Sequence, residues 1–301
     1  MAKKLCEHAL VVNEFDQALD NVLAALKPRS KWVGLQQIFA PHAVLTEPMT
    51  DEGAPLLPKG AALTPATLAL LATQHKRKAP VAGAVTALVI SVSSVRQGLD
   101  QPARVGVNDD ATSAALRMML SRWGTDTLDP IFIKSDLDQV FSAVEESTAD
   151  LIVISVDAES DLTKHEIAQA LGISLLKAGL DLDIEVGARA IEQKSVFLIK
   201  SDTYGTLIGS EVLLKPAVRN MLMQTKLIPA SYTVSTPIAG DLKYLRFIPG
   251  IVDTDEEGNE TVRGLSANLG GLARAECLIK VHGNLPPYET VEVFPVTSVQ
   301  K

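Results

Sequence analysis

The sequence predicts an α/β protein: a three-layer αβα domain with a small N-terminal part and a C-terminal β domain. Three observations carry that expectation. Between residues 84 and 223, short apolar runs rich in β-branched residues alternate with helical patterns. This is the signature of a parallel sheet covered on both faces by helices. Ahead of that region the pattern is helical with breaks, and after residue 226 helical periodicity gives way to successive strand-like runs. The expected divisions are a helical and linking region at 1–78, the αβα domain at 79–226 and the β domain at 227–301.

In the first part, residues 13–27 place Phe15, Leu19, Val22, Leu23 and Leu26 on one helical face, with Asn13 as N-cap and Pro28 as stop. That face is expected to serve as core or as a dimer contact. Thr64 and Pro65 form a cap and first-turn pair for a short helix. The segment "HKRKAPVAG" (75–83) reads as a linker.

The αβα pattern begins with "AVTALVISV" (84–92), a run suited to a strand buried on both faces. Asp109 and Asp110 can cap the helix that follows, which stops at Gly124. "PIFIK" (130–134) is a short strand and "SDLDQVFSAVEES" an amphipathic helix. "DLIVIS" is a second buried strand, followed by a helix expected at 162–178. "SVFLI" (195–199) is the last strand and 205–223 the last helix. In the tail, "SYTVS", "KYLRFIPGIV", "AECLIKV" and "TVEVFPV" read as strands, with an acidic hairpin turn at 253–260.

Composition limits the function classes. The chain has 301 residues, 47% hydrophobic and 4% aromatic, so aliphatic side chains and Ala must fill its cores. A net charge of -8 without a Lys/Arg run argues against nucleic acid as partner. Cys6 and Cys277 are the only cysteines, and the five histidines are scattered, so no zinc site is offered. A disulfide joining the chain ends stays open as the lesser alternative to reduced thiols. "MAKKLCEHALVV" is too short and too interrupted for a signal peptide, and no run approaches the roughly 20 apolar residues of a membrane span. The expectation is a cytoplasmic protein with no membrane partner.

Ligands of open α/β sheets bind at the carboxyl ends of the strands. The loops placed there are "SVSSVRQG", "VDAESD" and "KSDTYG". They supply the candidate ligand-binding residues Asp157, Glu159, Asp161, Lys200, Ser201, Asp202 and Thr203; Arg246 in the tail can reach an anion in a cleft beside the sheet. Each has a structural alternative. Asp161 can cap helix 162–178 or pair with His165. Ser201 and Thr203 can cap helix 205–223 or bind an anion at its N-terminus. Arg246 can form an ion pair. No catalytic residue and no metal site is assigned.

The order of these parts resembles the MoeA molybdenum insertases, the family of the gephyrin E domain. "FDQALDNVLAAL" is similar to that family's opening helix and "LLPKGAALTPATLALLAT" to its "LLPKGT-LTP" segment. "ADLIVIS" resembles the strand before its "SGG" loop, and "EVLLKPAVRNML" a helix with an internal proline. "GDLKYLR" and "GGLARAECLIKV" resemble its C-terminal runs. The resemblance implies a role in molybdenum-cofactor biosynthesis, a molybdopterin-binding-like αβα domain, a homodimer, and molybdopterin as ligand. A molybdoenzyme or another cofactor-biosynthesis protein is the implied partner.

The motifs that carry the family's chemistry are altered. "TGDE" has become Ser91–Ser94, and "SGG-S-G" has become Ser155–Ser160. Val156 and Asp157 obstruct the close approach that glycines allow. The lysines of "KPGKP" fall at "EVGAR" (185–189), and "GLPGNPVS" has become Leu198–Gly205. The β domain the family carries before "LLPKG" is expected to be absent. These departures imply a degenerate insertase site. Three functions stay open: a pterin-binding protein of the pathway, a non-catalytic dimeric scaffold or regulator, or a new small-molecule site in the rebuilt loops.

Overall fold

The structure is a computed structural model that describes residues 2–38, 43–99, 101–102, 104–105, 107–180, 182, 184–224, 226–240, 243–255 and 257–296; of residues 2–13 only the helical backbone is described. The first helix spans Ala2–Ala25, so Asn13 lies inside it and is not its cap. Phe15, Ala18, Val22 and Leu26 are buried in one core with Phe197, Leu213 and Phe247. The Phe15 and Phe247 rings lie 5.5 Å apart, as do those of Phe247 and Phe294. The helix thus joins the αβα layers to the C-terminal domain. Of the two roles expected for this face, core or dimer contact, the structure gives it the first.

Lys78–Ala82 is the middle strand of a three-stranded antiparallel sheet, between Lys31–Gly34 and Val44–Leu45. The reading of 75–83 as a linker is therefore corrected. Charged residues before Lys78 masked a short segment in which Ala79, Val81 and Ala82 are buried. Residues 46–64 hold one hairpin, Met49–Asp51 with Ala54–Leu57, and no β domain. Thr64 caps the helix Pro65–Thr73 by accepting from the Thr67 N–H, as its sequence predicts.

The central sheet has parallel strands Ile131–Ile133, Thr86–Val92, Leu151–Asp157 and Lys194–Ser201 in that spatial order. Thr86–Val92, Leu151–Asp157 and most of Lys194–Ser201 are buried, because helices cover both faces. Beyond Lys194–Ser201 the sheet continues antiparallel through Glu185–Ile191 to Leu176–Lys177. The "EVGAR" segment is thus strand, and the sheet is mixed where an all-parallel one was expected.

Asp110 and Gly124 bound the helix Ala111–Trp123 as expected. The helix expected at 162–178 is only Lys164–Leu171: Gly172 ends it in the left-handed region at φ 62°, and the chain turns back as edge strand. The last helix starts at Thr203 and runs to Met221 with a π-turn at Ser210–Leu214. The tail is a closed five-stranded barrel, in which Glu260–Gly264 is an unanticipated strand. "GLSANLGG" contains a single helical turn, Leu269–Leu272. Cys277 is a buried free thiol, so it is not in a disulfide; burial pushes its pKa up to about 12.

Candidate functional site

The strand order brings the predicted loops together at the carboxyl ends of the parallel strands. Their common centre is a residue that sequence reading passed over, Arg96. It follows Ser93, whose buried hydroxyl accepts from the Val95 and Arg96 N–H groups at 3.3 and 3.2 Å. That turn aims the guanidinium across the sheet. Its Nε forms an ion pair with Asp157 Oδ2, and Nη1 donates to Thr112 Oγ1 at 3.1 Å and to Thr203 Oγ1 at 2.8 Å. Thr112 and Thr203 hydroxyls are themselves 2.9 Å apart. The Ser93 hydroxyl donates to Asp157 Oδ2 at 3.2 Å. One arginine therefore ties the loops after the Thr86–Val92, Leu151–Asp157 and Lys194–Ser201 strands.

The pair is well desolvated: the side chains of Arg96 and Asp157 are 19% and 6% exposed. Attraction at that depth is strong, and four neighbours hydrogen-bond to the pair: Thr112 and Thr203 to Arg96, and the Ser93 hydroxyl and the Glu159 N–H, at 3.2 Å, to Asp157. Two further links tighten the rim. Ser94 Oγ donates to the Glu159 carbonyl at 3.4 Å and accepts from the Asp161 N–H at 3.1 Å. The Ser135 and Ser160 hydroxyls lie 2.8 Å apart.

The other candidates are distributed around this clasp. Glu159 and Asp161 are exposed, and no hydrogen bond or ion pair joins Asp161 to His165 among the described residues. Asp161 does not cap the helix. Thr163 does, in a capping box with Glu166, which holds the Glu166 carboxyl below its usual range through backbone and side-chain hydrogen bonds from Thr163. Lys200 is half-buried beside Val156 and opposite Glu185 in the sheet. Asp202, not Ser201 or Thr203, caps the last helix, accepting from the Gly205 N–H at 2.6 Å. Ser201 is buried, and a Cβ on Gly205 would come within 2.1 Å of its hydroxyl. Arg246 stands apart. It donates to the Ala239 carbonyl at 3.3 Å and lines a barrel cavity of about 270 Å³ with Ile248 and Gly264.

Arg189, the residue nearest a lysine of the implied "KPGKP" motif, is also committed to structure. Its Nη1 donates to the Leu171 and Gly172 carbonyls at 2.9 and 3.1 Å, closing the end of helix Lys164–Leu171. Among the described residues no group of three or more His, Cys, Asp or Glu side chains is placed to hold a metal ion.

Neither a family model nor a curated protein matches this sequence. Solved structures do. A molybdenum cofactor biosynthesis protein from Pyrococcus furiosus superposes with a TM-score of 0.59 at 17% identity, covering 93% of this chain and 98% of that one. A molybdopterin biosynthesis MoeA protein from Pyrococcus horikoshii gives 0.64 at 15% identity, covering 94% and 99%. The fold is MoeA-like. Within the MoeA-like fold, the clasp of Arg96 and Asp157 sits at the strand ends, where α/β sheets bind their ligands.

Proposed function

We propose that this chain is a MoeA-like protein of molybdenum-cofactor biosynthesis that serves the pathway without inserting metal, as a non-catalytic binding or scaffolding protein. The observation that supports it is the Arg96 clasp. An anionic pterin entering the crevice must either displace Asp157 from Arg96 or leave the pair intact and meet a carboxylate. Separating a desolvated pair and leaving one charge unmatched costs about 3–5 kcal/mol. The exposed Glu159, Asp161 and Asp202 add repulsion toward phosphate. The short hairpin at 49–57 leaves no second β domain to supply further groups.

The homodimer implied by the resemblance belongs to this reading. It needs a surface other than the face of Phe15, Val22 and Leu26, which is buried within the chain. Light scattering at micromolar concentration measures it.

The test of function is reconstitution with adenylylated molybdopterin and molybdate, scored by activation of a cofactor-free molybdoenzyme. The expected result is no activation above a no-protein blank. Activation would return the chain to the insertases. Saturable molybdopterin binding that Arg96→Gln abolishes would favour a pterin-binding role with Arg96 as phosphate anchor.

A further inference from the structure

The helix Ala111–Trp123 carries almost no charge on either side. Its inner residues Leu116, Leu120 and Trp123 are buried in one core with Val89 of the central sheet and Val218 of the last helix. Its outer face runs through Ala111, Ala114, Ala115 and Met118, and Met118 is 64% exposed. Arg117, at the flank, is held by Asp129 at 2.8 Å. A helix that faces water normally carries polar residues on its outer side, and one that is apolar all round is normally covered all round. The turn that leads into the helix enlarges the apolar surface with Val105 and Val107, both exposed. Charge is confined to the two ends. Asp109 is exposed just before the helix, and among the described residues its carboxylate is bonded only by the neutral Gln97 amide, at 2.8 Å. Arg122 is exposed in the last turn. The carboxylate its field reaches, Glu211, is already paired with Lys215.

We propose that this face is the contact of a two-fold homodimer, with two copies of the helix packed antiparallel about Ala114 and Ala115. The inference rests on the homodimer of the preceding reading and assigns its surface. About that axis Met118 seats against the partner's Ala111, and the symmetry repeats the contact. The alanines at the crossing let the helix axes approach to about 8 Å. Arg122 comes opposite the partner's Asp109, so one surface supplies two ion pairs. A parallel arrangement would set Asp109 against Asp109 and Arg122 against Arg122. The charges at the two ends therefore select a second copy, and select its direction. The helix is only about 20 Å long. The contact is a small one for a specific interface, and dissociation at micromolar concentration follows.

Sedimentation equilibrium across micromolar concentrations tests the surface. The unmodified chain self-associates to a dimer. Met118→Glu is a monomer with an unchanged thermal midpoint, because the side chain is largely in water in the single chain. Arg122→Glu and Asp109→Arg each weaken self-association about tenfold, about 1.4 kcal/mol, because like charges then face each other. Mixed in equal amounts, these two variants form a heterodimer as tight as the unmodified homodimer, since every arginine again meets a carboxylate. A monomeric unmodified chain overturns the surface and the homodimer together. A dimer that persists in Met118→Glu, or charge variants that do not restore each other on mixing, overturns this surface and leaves the homodimer standing.

Discussion

At the carboxyl ends of the parallel strands, Arg96, Asp157, Ser93, Thr112 and Thr203 satisfy one another. At the amino ends, Trp32, Thr125 and Asp126 line a cavity, and among the described residues their side chains make no hydrogen bond. Both regions hang on the Thr86–Val92 strand, so the difference is not one of scaffold. It lies in whether donors and acceptors are matched in number and position. A matched set stabilises and closes; an unmatched set contributes no such stabilisation. Position at the ends of a sheet is therefore a weaker guide to function than the hydrogen bonds already made there.

The sharpest way to break this comparison is Asp157→Ala. It leaves Arg96 desolvated beside two neutral hydroxyls, and urea unfolding should show a loss of about 3 kcal/mol or more. Arg96→Ala with Asp157→Ala should cost clearly less than the two single changes added together. Additive costs would mean that no clasp exists.

A second buried pair tests the same logic away from the central sheet. Just after the π-turn, Lys215 contacts Glu211 at 2.7 Å, with side chains 10% and 8% exposed, and also donates to the Pro295 carbonyl at 2.9 Å. Burial raises the Glu211 carboxyl above 4.5; Lys215 and then Arg122 pull it back. The native state therefore holds this proton to a higher pH than the unfolded chain does. Its contribution to stability is present below the unfolded value and declines as pH rises through the folded one. Glu211→Gln should flatten that decline, and Lys215→Met should steepen it and destabilise by about 3 kcal/mol near neutral pH. Unfolding free energies measured from pH 4 upward check both, and parallel profiles in all three proteins would contradict them.

The smallest effects separate the two polar residues that begin the 161–171 region. Thr163→Ala removes the cap and should cost about 1 kcal/mol. Asp161→Ala should stay within about 0.5 kcal/mol, because its exposed side chain has no partner among the described residues. Equal losses in thermal unfolding would show that the assigned cap is the wrong residue.

The buried parallel strands were legible in the sequence because they are covered twice, leaving unbroken runs such as Leu151–Val156. Glu185–Ile191 was not legible: only part of it is buried, and "EVGARAI" mixes charge, glycine and aliphatics. Thr163 and Glu166 are spaced as a capping box, a signal present in the sequence but outweighed by Asp161. Gly172 likewise announced the helix end. Arg96 was missed because a lone arginine in a serine-rich loop has no motif. Only the fold reveals that its loop faces Asp157 and Thr203. The buried Thr125 hydroxyl left no signature either, since its lack of a partner among the described residues is visible only in the folded chain.

The central sheet also constrains how the chain reaches this state. Leu151–Asp157 pairs in parallel with Thr86–Val92 on one side and Lys194–Ser201 on the other. Such distant pairings form slowly, after the loops between them close. During synthesis, the apolar Leu151–Asp157 strand emerges before its second neighbour exists. Until Lys194–Ser201 arrives with its antiparallel partner Glu185–Ile191, one edge of that strand is open to other chains. A chain ending at residue 193 should accordingly be recovered in the pellet and the full chain in the supernatant. Recovery of both in the supernatant would locate the slow step of folding elsewhere.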